Sequence, residues 1–414
     1  MEEVHVFWVA GMSCDGCTIA VSGATAPSVE QLLGGTIPGL PRVVLHHPVL
    51  SVSAGHGFMA PFRQAVEGTL GAPYVIVLEG SVPDDQALEH EGYFSGLGVG
   101  ADWPETMPAP RPADQPLRVT DWLKAMAPGA AACIAIGTCA TWGGVPAAAG
   151  NVTGSMGLMD FLGKDYRSTL GVPVINIPGC SPVGDNFTET VGAVLMFLQG
   201  IGPLPDFDEL GRPSWLFGET VHHHCPRAGY YEEGIFAHSY GDQECVVEIG
   251  CWGPVVQCNI TERGAINHMG GCMVAGGPCI GCTMPGFPDK YSPFYRAAPG
   301  SALSSAIAHT YGAQIRRLRR MSLRSGNREP LWDRLGEVPS GWSAEQSGPS
   351  LAARIEKFFY HRLQYRGSVD QDKLNAKQPI PKTRDVLAST STAGTQPTLS
   401  GPSGGDAPHV PEGR

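Results

Sequence analysis

Twelve metal-ligand side chains parse into three groups of four along this chain, and that arrangement limits the fold more than any other feature. Cys14, Cys17, Cys139 and Cys180 make the first set. His222, Cys225, Cys245 and Cys251 make the second, and Cys258, Cys272, Cys279 and Cys282 the third. The spacings are C-x2-C with two remote partners, then H-x2-C-x19-C-x5-C, then C-x13-C-x6-C-x2-C. One C-x2-C pair is weak evidence, but twelve ligands parsing without overlap is strong. Four soft ligands suit a cubane iron–sulfur cluster, and three such sets in one chain point to a route for electrons rather than one catalytic centre. Gly11, Gly16, Gly137 and Gly281 lie beside the cysteines, where backbone N–H groups must approach sulfur closely.

The net charge of −11 hides an asymmetry. Residues 1–295 carry 11 Lys+Arg against 29 Asp+Glu, or −18, while residues 296–414 carry 17 against 10, or +7. All the cysteines lie in the acidic part, which argues against nucleic acid as a partner. The N-terminus MEEVHVFWVAG enters an apolar run without the basic and apolar regions of an export signal. No apolar run approaches the ~20 residues of a membrane-spanning helix. The expectation is a cytoplasmic chain whose cysteines stay reduced and serve metals.

Apolar strand-like runs at 5–10, 43–50, 74–78, 132–136 and 172–177 alternate with helical patterns such as 61–70, 120–126 and 187–198. That alternation predicts an α/β fold with a mostly parallel, doubly wound sheet, whose ligands sit beyond the carboxyl ends of the strands. The first set obeys this rule, since each of its members follows one of the runs. From about 201 to 295 periodicity fades and Gly, Pro and Cys dominate, so metal clusters are expected to hold a loop-rich domain together. The expected division is 1–200, 201–295, a basic and partly helical extension over 296–388, and a disordered tail over 389–414. Within the extension, 302–328 is Arg-rich and 351–365 reads as helical. The arginines 316, 317, 319, 320, 324 and 328 form either a solvated face or a docking surface for the acidic body, a sister subunit or an anionic membrane.

The chain resembles the small, electron-transferring subunit of nickel–iron hydrogenases. The matching stretches are GMSCDGC at 11–17, VLEGSVP at 77–83, GTCATWGGVPAA at 137–148, NIPGCSP at 176–182, GRPSWLFGETVHHHCPR at 211–227, IGCWGP at 249–254 and GGPCIGCTMPGFPDKYSPFY at 276–295. The resemblance implies a flavodoxin-like N-terminal domain holding a proximal cluster on Cys14, Cys17, Cys139 and Cys180. It implies a distal cluster on His222, Cys225, Cys245 and Cys251, and a medial one that includes Cys258, Cys279 and Cys282. The Ni–Fe centre belongs to a separate large subunit, and the family implies a dimer of heterodimers. The external electron acceptor is left open, as is peripheral membrane association.

Two departures from the family pattern bear on chemistry. Cys272 stands where many members have proline, so three [4Fe–4S] clusters are expected rather than a three-iron medial centre. Asp15 sits inside the proximal pair where Thr is usual. It is read either as a loop residue or as an oxygen ligand to the proximal cluster, and this resembles the actinobacterial type associated with hydrogen oxidation in air. Glu79, in the EGS motif, is open between a place in the cluster or proton-path environment and an anchoring carboxylate. His223 and His224 read as solvated or supporting neighbours of His222, and Cys133 as a small buried apolar residue. Rival readings are a relay subunit of another multi-cluster oxidoreductase and a zinc-stabilised binding module. A disulfide-stapled secreted protein fits worst.

Overall fold

The computed structural model describes residues 2–88, 92–292 and 294, with 307, 310 and 314 beyond them. The expected helices and arginine cluster of the extension, and the tail, lie outside the described residues.

Five parallel strands build the central sheet. They are β1 (Glu3–Ala10), β2 (Arg42–His46), β3 (Tyr74–Glu79), β6 (Ala132–Ile136) and β7 (Ile175–Ile177), in the order β2-β1-β3-β6-β7. A short antiparallel pair, β4 (Gly96–Val99) and β5 (Pro116–Arg118), is inserted between β3 and β6. Leaving that pair aside, the order is the flavodoxin-like 2-1-3-4-5, with a topological switch between β1 and β3. Every residue of β3 (YVIVLE) and β6 (ACIAI) is buried, as expected for parallel strands covered on both faces.

Alternation along β1 divides the core. Phe7 and Val9 pack on one face with Phe58, Met59 and Phe62 of α3 (Gly55–Glu67) and Trp122, Leu123 and Met126 of α4 (Val119–Met126). Val6 and Trp8 face the other way. They pack with Val21 of α1 (Gly16–Ser22), Leu32 of α2 (Val29–Gly34) and Phe187, Val191 and Leu195 of α7 (Gly184–Leu198). Two short helices, α5 (Gly137–Trp142) and α6 (Leu158–Leu162), follow β6. The register carries the ends of four strands into one line, because Ala10 pairs with Glu79, Glu79 with Ile136, and Ile136 with Ile177.

Residues 201–292 contain only short helices, at Ser214–Phe217, Ala228–Glu232 and Ile260–Arg263, with single turns between them. Their apolar cluster includes Cys251 and Cys279 beside Trp252, Val256, Phe287 and Tyr291. This part docks on the sheet layer through a reciprocal amide pair, Asn186 with Asn259, at 2.9 Å in each direction. Arg263 also pairs with Glu189 of α7.

Three expected boundaries shift. Sequence periodicity predicts a strand to Leu50, but β2 stops at His46, because Pro48 lacks a donor and the Ser51 N–H turns back to the His47 carbonyl. The helix expected over 61–70 instead runs Gly55–Glu67 with Pro61 inside it, and Gly68 at φ +70° ends it. The run from 172 starts pairing only at Ile175, after Pro173.

Candidate metal centres

The line of strand ends at Ala10, Glu79, Ile136 and Ile177 is where the first set gathers. Cys14 and Cys17 follow β1, Cys139 sits in the first turn of α5, and Cys180 follows β7. Gly137, at φ +82°, lets the chain pass under Cys17: a Cβ there would lie 2.3 Å from the Cys17 sulfur. Gly144, at φ +56°, is placed likewise: a Cβ there would lie 2.8 Å from the Cys139 sulfur. Thr138 locks two of the loops together, its N–H donating to the Gly179 carbonyl and its hydroxyl accepting from the Gly179 N–H, both at 3.0 Å. The Cys17 sulfur interacts with those of Cys139, Cys14 and Cys180, so all four members share one place.

Glu79 is the anchor of this site. Its carboxylate, in a residue 2% exposed, accepts from Trp8 Nε1 at 2.9 Å, the Cys17 N–H at 3.0 Å and the Thr18 N–H at 3.2 Å. The Thr18 hydroxyl donates to it as well. Those backbone donors open α1 and have no partner within the helix, so Glu79 caps α1 from the neighbouring strand and fixes the Cys17 loop. His47 stands behind it. Its Nδ1 accepts from the Val49 and Leu50 N–H groups at 3.1 and 3.2 Å, which leaves Nε2–H to donate to Thr18 Oγ1 at 3.0 Å. Asp15 precedes α1 at φ +60°, with its N–H donating to Ser13 Oγ at 3.1 Å and its exposed carboxylate accepting from that hydroxyl at 3.4 Å.

The third set packs against the first. Thr138 donates to the Cys282 carbonyl, Trp142 Nε1 donates to the Thr283 carbonyl at 3.1 Å, and the Cys180 backbone lies close to the Cys282 sulfur. Cys272 interacts with Cys258 and Cys282, and Cys279 with the same two, so the fourth member is present. Buried Arg212 lies close enough to Cys258 to favour its thiolate. Arg212 is held by Asp208 at 2.7 Å and by Gln257.

The second set lies on the far side of the third, with the Cys279 N–H donating to the Cys251 sulfur at 3.2 Å. Cys245 interacts with Cys251 and Cys225. His222, 5% exposed, is joined to Cys251 through Gly253, which accepts from the His222 N–H at 3.1 Å and donates to the sulfur at 3.3 Å. Burial holds the His222 imidazole down at about 4, so it is neutral and ligand-competent at pH 7. The three sets therefore stand in the order first, third, second.

The residues fit iron–sulfur clusters. All twelve cysteines are free. Burial pushes thiols up to about 11 at Cys139 and Cys282 and about 12 at Cys245 and Cys258, so ionising four of them together requires a positive group among them. Near the second set, Arg227 favours the thiolates of Cys225, Cys245 and Cys251, while its buried Nη1 has no hydrogen-bond partner. A donor in that position suits an anionic sulfur-rich group. Cys133 stays outside the sets, buried in the core with Tyr166 Oη 3.1 Å away. His223 and His224 are exposed.

Two family models match the chain. One, NADH ubiquinone oxidoreductase, 20 Kd subunit, covers residues 14–194, and the other, the C-terminal region of the NiFe/NiFeSe hydrogenase small subunit, covers residues 217–295. The periplasmic [NiFeSe] hydrogenase small subunit of Desulfomicrobium baculatum is 32% identical over 298 residues, which are 72% of this chain and 88% of that protein. The chain belongs to the NiFe hydrogenase small-subunit family. Among solved structures, the actinobacterial-type NiFe-hydrogenase from Ralstonia eutropha H16 matches with 47% identity and a TM-score of 0.73, over 82% of this small subunit and 95% of that chain. The Hydrogenase-2 small chain of Escherichia coli K12 is 34% identical over 69% of this small subunit and 68% of its own length. Members of the family are electron-transfer subunits that carry iron–sulfur clusters and pair with a large subunit. The 20 Kd quinone-reductase match stops at residue 194, before the second and third sets begin.

Sequence reasoning missed His47, Thr18 and Arg227. Arg212 and Arg227 both lay inside the GRPSWLFGETVHHHCPR stretch, so both had a signal. His47 had none.

Proposed function

We propose that this small subunit holds three [4Fe–4S] clusters in a row and carries electrons from hydrogen oxidised in its large subunit to an external acceptor. The observation that supports this reading most is the ordered contact of the sets, Cys180 to Cys282 and then Cys279 to Cys251. When bound, the clusters supply reversible uptake of one electron at a time. Cys14, Cys17, Cys139 and Cys180 would hold the proximal one, Cys258, Cys272, Cys279 and Cys282 the medial one, and His222, Cys225, Cys245 and Cys251 the distal one. The chain's own work is positional: Glu79 clamps the Cys17 loop, Thr138 ties the first set to the third, and Arg212 and Arg227 offset thiolate charge. Asp15 is proposed as an oxygen ligand or electrostatic neighbour of the proximal cluster, a harder group than thiolate. We place the enzyme in the cytosol as a dimer of heterodimers.

Anaerobic purification with the large subunit tests the reading. About twelve iron and twelve sulfide per small subunit are expected, together with hydrogen-dependent dye reduction. A few zinc ions and no sulfide would instead establish the binding-module alternative. A three-iron EPR signal in oxidised protein would remove the four-ligand role of Cys272.

A further inference from the structure

Among the described residues outside the three sets, one group of side chains has the composition and arrangement of a metal site. A single oxygen of Glu219, Oε2, lies 2.8 Å from His223 Nδ1 and 2.9 Å from His224 Nε2. Glu262 brings its own Oε2 within 3.9 Å of His224 Nε2. The two imidazoles stack nearly parallel, at 8° with centroids 4.6 Å apart, so different nitrogens of adjacent residues face the same carboxylate.

The backbone beneath is held. The His223 N–H donates to the Thr220 carbonyl at 3.0 Å, and the Val221 N–H to that of Val256 at 2.8 Å. Thr261, next to Glu262, donates its hydroxyl to the Val221 carbonyl at 3.1 Å, which fixes the second carboxylate's segment against the first. Tetrahedral zinc bonds of about 2.0–2.2 Å place neighbouring donor atoms roughly 3.3 Å apart. Opening the Glu219 contacts by a few tenths of an ångström lets three donors, all within 4.8 Å of one another, approach that spacing, and the exposed Glu262 side chain, whose Oε2 lies 3.9 Å from His224 Nε2, would swing in as the fourth.

We propose that Glu219, His223, His224 and Glu262 bind one divalent transition-metal ion of borderline softness, zinc being the best match to two imidazoles and two carboxylates. Two carboxylates balance the charge of the ion, so the loaded site is neutral. It uses none of the twelve cluster-ligand candidates, and its failure and that of the relay reading are separable.

The test is zinc competition against a chromophoric chelator, using the purified heterodimer freed of loosely held metal at pH 7. One zinc per small subunit is expected beyond whatever a Glu219→Gln/His223→Gln double variant takes up, with affinity at least tenfold weaker in a His224→Gln single variant. Iron content and dye reduction should be unchanged in all three proteins, which shows that they fold. Equal zinc uptake by the wild type and the double variant overturns the proposal. So does displacement of the zinc by equimolar magnesium, because that would reduce the site to its carboxylates.

Discussion

Glu79 shows how one buried side chain controls the geometry of a candidate metal ligand that it does not itself provide. Its carboxylate receives the Trp8 indole, two backbone N–H groups of α1 and the Thr18 hydroxyl. Glu79→Ala leaves these donors buried without a partner, at about 1–3 kcal/mol each. The expected outcome is loss of stability by several kcal/mol and of about four iron per chain, read by thermal unfolding and iron analysis. Asp15 calls for a gentler change. Its φ of +60° is one that Asn also adopts, so Asp15→Asn removes the charge and leaves the backbone in place. If Asp15 acts on the proximal cluster, that variant alters the cluster's EPR spectrum and midpoint potential with iron content intact. An identical spectrum and potential would end the ligand reading. The candidate ligands stood out in the sequence because each is a rare residue type at a telling spacing. His47 was not, because a histidine is placed there by the packing of Trp8 and the turn at 47–51, which no local pattern reveals.

Among the elements, the loops after β1, β6 and β7 matter most, and they were readable because parallel strands buried on both faces are continuous apolar runs. The β4–β5 pair was missed: its strands are 4 and 3 residues long, with only Leu117 fully buried to mark them. At the start of α5, Gly137→Ala would place a methyl 2.3 Å from the Cys17 sulfur in a left-handed backbone, so the loop must move. Loss of the first set's cluster with retention of the other two is expected, visible as about eight rather than about twelve iron per chain. Helix α6 gives a pH-dependent case. Asp160 accepts from the Gly157 N–H at 3.3 Å, and burial raises its carboxyl from 3.8 to about 6. Between those values the folded chain holds a proton that the unfolded chain releases, so stability falls as pH rises through this window and stays lower above it. Asp160→Asn keeps an acceptor for Gly157 without the charge. It should gain on the order of 1 kcal/mol at pH 7, since the side chain is only partly buried, and nothing below pH 4. A thermal-denaturation series from pH 4 to pH 8 checks the sign.

Across the described residues, a parallel sheet supplies one end of a line and the cysteine-rich region 201–292 supplies the rest. The family was legible from the matching stretches, and the grouping of candidate ligands was proposed from their spacing. The spatial order was implied by the family resemblance and not by ligand spacing: the third set in sequence lies between the other two, brought there by the contacts of Cys282 with Cys180 and of Cys279 with Cys251. That inversion has a functional consequence. If electrons pass along the row, damage to the middle set must separate hydrogen activation from delivery. Cys258→Ala is the suitable change, since Cys258 contributes neither of those two bridging contacts. Iron should fall from about twelve to about eight per small subunit, while proximal and distal EPR signals persist. Hydrogen–deuterium exchange in the large subunit should continue, and hydrogen-dependent dye reduction should drop by about tenfold or more. Dye reduction persisting at the wild-type rate would instead mean that the acceptor draws electrons without passing the third set.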